Sequence, residues 1–140
     1  MESSGGPGHF VAMSDANADV YIVAGFRQQS EGAWRWANAH PALRFYLPRL
    51  VRAKFVMAFA LPEQHFRFTG PVTLTFSVNG HELDRARYEN PGEQQYTHEV
   101  PLEFLKPDSI NFVAIEPDKV AAPIPGEKLS FVLIRAGFTE

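Results

Sequence analysis

The chain has 140 residues, the size of one ordinary domain, and is 45% hydrophobic, 21% charged and 13% aromatic. That composition excludes wholesale disorder, collagen and coiled coil, and the absence of cysteine excludes a disulfide framework, a thiolate zinc site, an iron–sulfur cluster and a cysteine nucleophile. The net charge of −3 is too small to imply a partner by itself, and 10 glycines with 11 prolines favour many short strands and turns over long helices.

In chain order, residues 1–8 read as a flexible tail and residues 9–140 as a single domain. His9–Met13 is a short strand candidate. Asp15-Ala16-Asn17-Ala18-Asp19 places oxygen donors at the first, third and fifth positions of a calcium loop. Val20 then stands where an EF-hand has glycine, and Phe26 where it has glutamate, so an EF-hand is excluded. Asp15, Asn17 and Asp19 remain weak candidates for a structural calcium; otherwise they form a polar loop before a strand at Val20–Phe26. Leu43, Phe45 and Leu47 alternate with Arg44 and Tyr46, which is the period of a half-buried strand. Val51 to Leu61 is apolar on both parities apart from Arg52 and Lys54, as in a central strand covered on both faces. Val72 to Val78 alternates apolar with hydroxyl residues, and Asn79-Gly80 supplies the two positive-φ positions of a type I′ hairpin returning along His81–Tyr88. Strands at Tyr96–Val100, Ile110–Glu116 and Leu129–Phe138 follow, with one helical turn at Pro101–Leu105 ended by Pro107. The reading is all-β: an antiparallel sandwich of about eight or nine strands.

Most catalytic signatures are missing. There is no nucleophile elbow, no Walker A loop and no dinucleotide fingerprint. His81-Glu82 and His98-Glu99 begin like a zincin motif but lack its second histidine. The five histidines are spread singly, as surface or strand-edge residues are. Sixteen carboxylates could supply an acid/base pair, but no spacing in the sequence selects two of them. The expectation is a non-catalytic protein without a cofactor. No run of about 18 apolar residues is present, the length a bilayer span requires. The N-terminus has neither the basic nor the apolar region of a signal peptide. The chain is therefore expected to be soluble without membrane insertion, in a compartment the sequence leaves open.

Residues 27–54 hold six basic residues, one acid (Glu31) and four aromatic residues. Aromatic rings can cover the C–H face of a sugar while arginine and asparagine bind its hydroxyls, which makes Glu31, Trp34, Arg35, Trp36, Asn38 and His40 candidate ligand contacts. The competing expectation is that Trp34 and Trp36, on one face of a strand, fill the sandwich core. Arg35 would then face solvent or pair with a carboxylate such as Glu31. Nucleic-acid binding is the least favoured use of this segment.

Val72-Thr-Leu-Thr-Phe-Ser-Val-Asn79-Gly80-His-Glu-Leu83, followed by Val100-Pro-Leu-Glu-Phe-Leu-Lys-Pro-Asp-Ser-Ile-Asn111-Phe-Val-Ala-Ile115, resembles the galactose-binding-domain-like jelly roll. That β-sandwich occurs beside many glycosidases and glycosyltransferases. Glu31 to Trp36 is also similar to the Glu-x-x-Trp-Arg-Trp start of uncharacterised bacterial members. The resemblance implies that Asn79-Gly80 makes a turn and that Asn111 hydrogen-bonds the loop before its strand. Ser109 replaces the usual glycine, so the turn at Asp108-Ser109 is expected to differ. Family members include carbohydrate-binding modules alongside protein-binding and structural domains. The leading expectation is an accessory carbohydrate-binding module of a glycan-processing system. The alternative is a protein-interaction or structural module, a homodimer among the options, using Tyr46, Phe66 and Phe68.

Overall fold

A computed structural model describes residues 8–27, 32, 34–120 and 129–139. The chain forms β1 (Phe10–Ala12), a 3-10 turn (Ala18–Tyr21), β2 (Ile22–Phe26), β3 (Arg35–Leu47), β4 (Lys54–Leu61), α1 (Glu63–Thr69), β5 (Val72–Val78), β6 (His81–Tyr88), β7 (Gly92–Glu99), a 3-10 turn (Leu102–Phe104), β8 (Ser109–Pro117) and β9 (Val132–Thr139). Every pairing among the described strands is antiparallel. One layer runs β2-β3-β8-β5-β6 and the other β1-β9-β4-β7. They join at the start of β3, where Arg35 and Trp36 pair with Leu133 and Val132 of β9. The result is a β-sandwich of the jelly-roll kind. No helix of the described residues is long and apolar enough to cross a membrane.

The alternation read in the sequence sets the burial. Leu43, Phe45 and Leu47 are buried on β3, as are Val72, Leu74, Phe76 and Val78 on β5. Phe45 meets Phe55 and Phe138 of the opposite layer edge-on, with ring centroids 6.4 and 5.6 Å apart. Phe76 stacks flat on Tyr96 at 3.8 Å. Edge-to-face and stacked pairs of this kind add about 0.5–1.5 kcal/mol each beyond the area they bury. β4 lies between β9 and β7, as expected for a central strand, but it begins at Lys54. Val51 and Arg52 lie exposed in the connection before it.

Three further expectations change. Val20–Phe26 is a 3-10 turn followed by a shorter strand from Ile22, because Tyr21 turns inward against Phe45 and its hydroxyl accepts a hydrogen bond from the Gly8 amide at 2.8 Å. The seven-residue helix α1 was not expected. It is too short to display a 3.6-residue period, and its signals are its terminators: Pro62 before it and Gly70, at φ 68°, after it. Leu43–Leu47 is only the second half of a thirteen-residue strand that continues through Pro41.

The hairpin at Asn79-Gly80 has the expected left-handed backbone, with φ 50° and 85°. Gly25 on β2 is needed for a different reason. A Cβ there would lie 2.2 Å from the His40 carbonyl oxygen, and its φ is +84°.

Asn111, fully buried, organises the β7–β8 connection. Its Oδ1 accepts from the Lys106 amide at 2.8 Å, and its Nδ2 donates to the carbonyls of Lys106 at 3.0 Å and Ser109 at 3.1 Å. Asn79 reaches across from the hairpin: its Nδ2 donates to Asn111 Oδ1 at 2.8 Å and to the Phe104 carbonyl at 2.7 Å, and its Oδ1 accepts from the Phe112 amide at 2.9 Å. At the Asp108-Ser109 turn the left-handed position is Asp108, φ 51°. Asn111→Ala removes its bonds to Lys106, Ser109 and Asn79 at once. Each buried group left unpaired costs about 1–3 kcal/mol. The variant is expected to melt roughly 5 °C or more below the parent in a thermal scan, and Gly25→Ala is expected to destabilise as well through backbone strain.

Candidate functional site

The burial pattern along β3 decides where each candidate contact lies. Arg35, Ala37, Pro41, Leu43, Phe45 and Leu47 are buried, whereas Trp36 and Asn38 are half-buried and His40, Arg44 and Tyr46 are exposed. Trp34, just before the strand, is 43% exposed. Strand alternation thus sends Trp34, Trp36, Asn38 and His40 to the outer face and Arg35 inward. Neither tryptophan fills the core, which is built of phenylalanines instead. Arg35 does not face solvent: it is only 5% exposed.

A buried guanidinium needs partners. Arg35 Nη2 lies 2.7 Å from Asp19 Oδ1, and Nη1 donates to the Arg27 carbonyl at 3.4 Å. Arg35 Nε has no hydrogen-bond partner among the described residues. The pairing expected with Glu31 falls outside the described residues, and the ion pair is made by Asp19. Asp19 was a candidate calcium donor, so a cation there would have to compete with Arg35. Asp15 Oδ2 accepts from the Ala12 amide at 3.0 Å, closing the turn after β1. Asn17 precedes the 3-10 turn and makes no side-chain cap to it.

On the outer face, the Arg27 guanidinium lies over the Trp36 ring, 5.9 Å from its centroid. The Arg27 amide also donates to the Trp36 carbonyl at 3.0 Å. Asn38 Oδ1 accepts from the His40 amide at 3.0 Å, and the Asn38 carbonyl accepts from the Ser130 hydroxyl at 2.8 Å. His40 Nδ1 sits 3.2 Å from Glu116 Oε2 on neighbouring β8. The structure therefore gathers two indoles, an amide, an imidazole and a carboxylate along one face. Sequence reading missed Arg27 and Glu116 as members of this group. Register supplies both: Phe26 pairs with Ala37, and Ala42 with Ala114.

A second group of polar side chains lies between β6 and β7. The Tyr96 hydroxyl donates to Asp84 Oδ2 at 3.0 Å, and His98 Nε2 is 3.8 Å from the same oxygen. Burial, reinforced by the Asp84 carboxylate, pushes the Tyr88 hydroxyl up to about 12. Burial, the hydrogen bond to Asp84 and the charges of Asp84 and Tyr88 push Tyr96 up further.

No protein-family model and no curated protein matches the chain. Among solved structures, a family 35 carbohydrate binding module from an environmental isolate matches with a TM-score of 0.52 at 14% identity, over 99% of this chain and 90% of that one. A family 35 carbohydrate binding module from Clostridium thermocellum matches with a TM-score of 0.51 at 12% identity, over 94% and 98% of the two chains. The shared feature is the fold, a jelly-roll β-sandwich.

Two outcomes follow from the electrostatics. Asp19→Asn leaves Arg35 buried without its carboxylate and is expected to cost about 1–3 kcal/mol in a urea unfolding curve. The raised tyrosines hold their protons in the folded state beyond the unfolded value of about 10. Their contribution to stability is complete below pH 10 and falls as the pH rises through about 12, where Tyr88 ionises. Unfolding curves across that window should show falling stability, with tyrosinate absorbance rising late.

Proposed function

We propose that this protein is a non-catalytic carbohydrate-binding module that serves a glycan-processing system. The observation that carries this reading is Trp34, an exposed indole beside Trp36, Asn38 and His40 on the outer face of β3. The Trp34 ring makes no ring contact among the described residues and offers a flat apolar surface to the C–H face of a sugar. Asn38, His40 and Glu116 supply directional hydrogen bonds to hydroxyls. Arg35 and Asp19 act one layer below, as the ion pair that fixes the start of β3. Glu31 belongs to the same proposal by its place in the sequence. The jelly-roll fold, shared with two carbohydrate-binding modules, supports this use without identifying the sugar.

A specific observation favours a second reading, a protein-interaction module. Phe68 on α1 is 82% exposed, and Tyr46 and Phe112 lie exposed on neighbouring strands of one face, where Arg44 pairs with Phe112. Phe66 does not belong to such a surface, because it packs against the core.

A glycan array, read with intrinsic tryptophan fluorescence, tests the first reading. Trp34→Ala is expected to weaken binding at least about tenfold, equivalent to about 1.4 kcal/mol, while leaving the melting temperature nearly unchanged. A folded parent silent on a broad array, with a mass that rises with concentration in sedimentation, would transfer the assignment to the interaction reading.

A further inference from the structure

The far end of the sandwich holds a cleft of about 460 Å³ that the β3 site does not use, within the range of small-ligand pockets, roughly 300–1,000 Å³. Its lining includes Arg52 from the β3–β4 connection, Glu82 and Leu83 of β6, His98 and Glu99 of β7, and Phe104. The first site occupies residues 34–40 at one end of β3, and the seven residue steps from His40 to Leu47, at about 3.3 Å each, carry the strand roughly 23 Å toward the cleft.

Both walls are braced. On one side the rings of Phe76, Tyr96 and His98 form a nearly parallel column, with centroids 3.8 and 6.2 Å apart, leading from the core to the cleft. His98 Nδ1 lies 2.6 Å from the Glu99 carbonyl. On the other side His81 stacks on Phe104 at 4.9 Å, and the Phe104 carbonyl is held by Asn79. The Val100 amide donates to the Ala53 carbonyl at 2.9 Å, closing the cleft beneath Arg52. Against these fixed walls, the guanidinium of Arg52 and the carboxylate of Glu99 make no hydrogen bond or ion pair among the described residues. Among the described residues, Glu82 pairs only with exposed Arg85, at 3.1 Å.

We infer that this cleft is a second saccharide site, specific for a neutral sugar unit. The inference rests on the carbohydrate-binding reading above. An apolar floor beside two ring stacks suits a pyranose C–H face, and unengaged donors and acceptors at the rim suit its hydroxyls. Among the lining residues the carboxylates of Glu82 and Glu99 outnumber the guanidinium group of Arg52, which disfavours an anionic sugar. Set toward opposite ends of β3, the two sites engage separate stretches of a polysaccharide or two chains, raising avidity without new contacts.

The two sites carry different reporters. Both tryptophans lie at positions 34 and 36, so tryptophan emission reads the first site, and the ring protons of His98 and His81 in NMR spectra read the cleft. The wild-type chain is titrated with neutral hexasaccharides of xylan, cellulose, mannan and β-1,3-galactan. The expected result is that both reporters respond. The rim variant Arg52→Ala/Glu99→Ala, folded by circular dichroism, is expected to weaken the histidine response at least tenfold while the tryptophan response persists; Trp34→Ala should do the reverse. Tryptophan emission that responds while the His98 and His81 resonances stay still would overturn the cleft and leave the carbohydrate reading standing. Loss of both responses in either variant would overturn two separate sites. Silence of both reporters in the wild type would overturn the carbohydrate reading and the cleft together.

Discussion

β3 belongs to both layers, and its alternation cannot change phase without emptying the core. Leu43, Phe45 and Leu47 are fully or almost fully buried along its second half, each burial favouring the native register by about 1.5–3 kcal/mol. A slip of one residue would turn all three to water. That sum outweighs any preference of the residues at the start of the strand, so Arg35 must point inward and the two tryptophans outward. The apolar character of Trp34 and Trp36 does not decide their place; the phase of the strand they enter does.

Arg35 is tolerated inside because the preceding segment brings it an anion. The 3-10 turn at Ala18–Tyr21 carries Asp19 to the guanidinium and Tyr21 to Phe45. One short turn thereby pairs a buried charge, packs a ring and ties the chain before β2 to the start of β3. The ion pair is a consequence of the strand's phase, and the outer face above it inherits a fixed backbone on which Trp36, Asn38 and His40 are displayed.

The opposite end is held by amides instead of charges. Asn79 and Asn111 bond to each other and to five backbone groups of the β7–β8 connection and β8. Neutral amides supply donor and acceptor together, so a buried pair can satisfy a loop without the desolvation penalty of an ion. The rings of Phe76, Tyr96 and His98 then carry the order of the core outward to the surface. Each end of the sandwich thus has a rigid inner support beneath more accessible polar and aromatic side chains, the arrangement that binding sites on stable scaffolds require.

The sequence alone determined the class of fold. Period-two patterns at Leu43–Leu47 and Val72–Val78 and the Asn79-Gly80 turn are local features, and a local pattern is written in neighbouring residues; the bonding of Asn111 to the loop before its strand is implied by the family resemblance, and its bond to Asn79 joins residues 32 apart. Helix α1 escaped because seven residues do not establish a helical period. The candidate face was legible as a set of residue types, but its orientation was not. Whether Trp34 or Arg35 points outward depends on which parity of β3 meets the other layer, and that contact lies far away in the chain. Asp19 as the partner of Arg35, Glu116 beside His40, and the meeting of residues 52, 82, 98 and 104 at one cleft depend likewise on strands brought together from distant parts of the chain. Only tertiary structure decides them, because the free energy that selects them belongs to the packed sandwich and not to any segment of it.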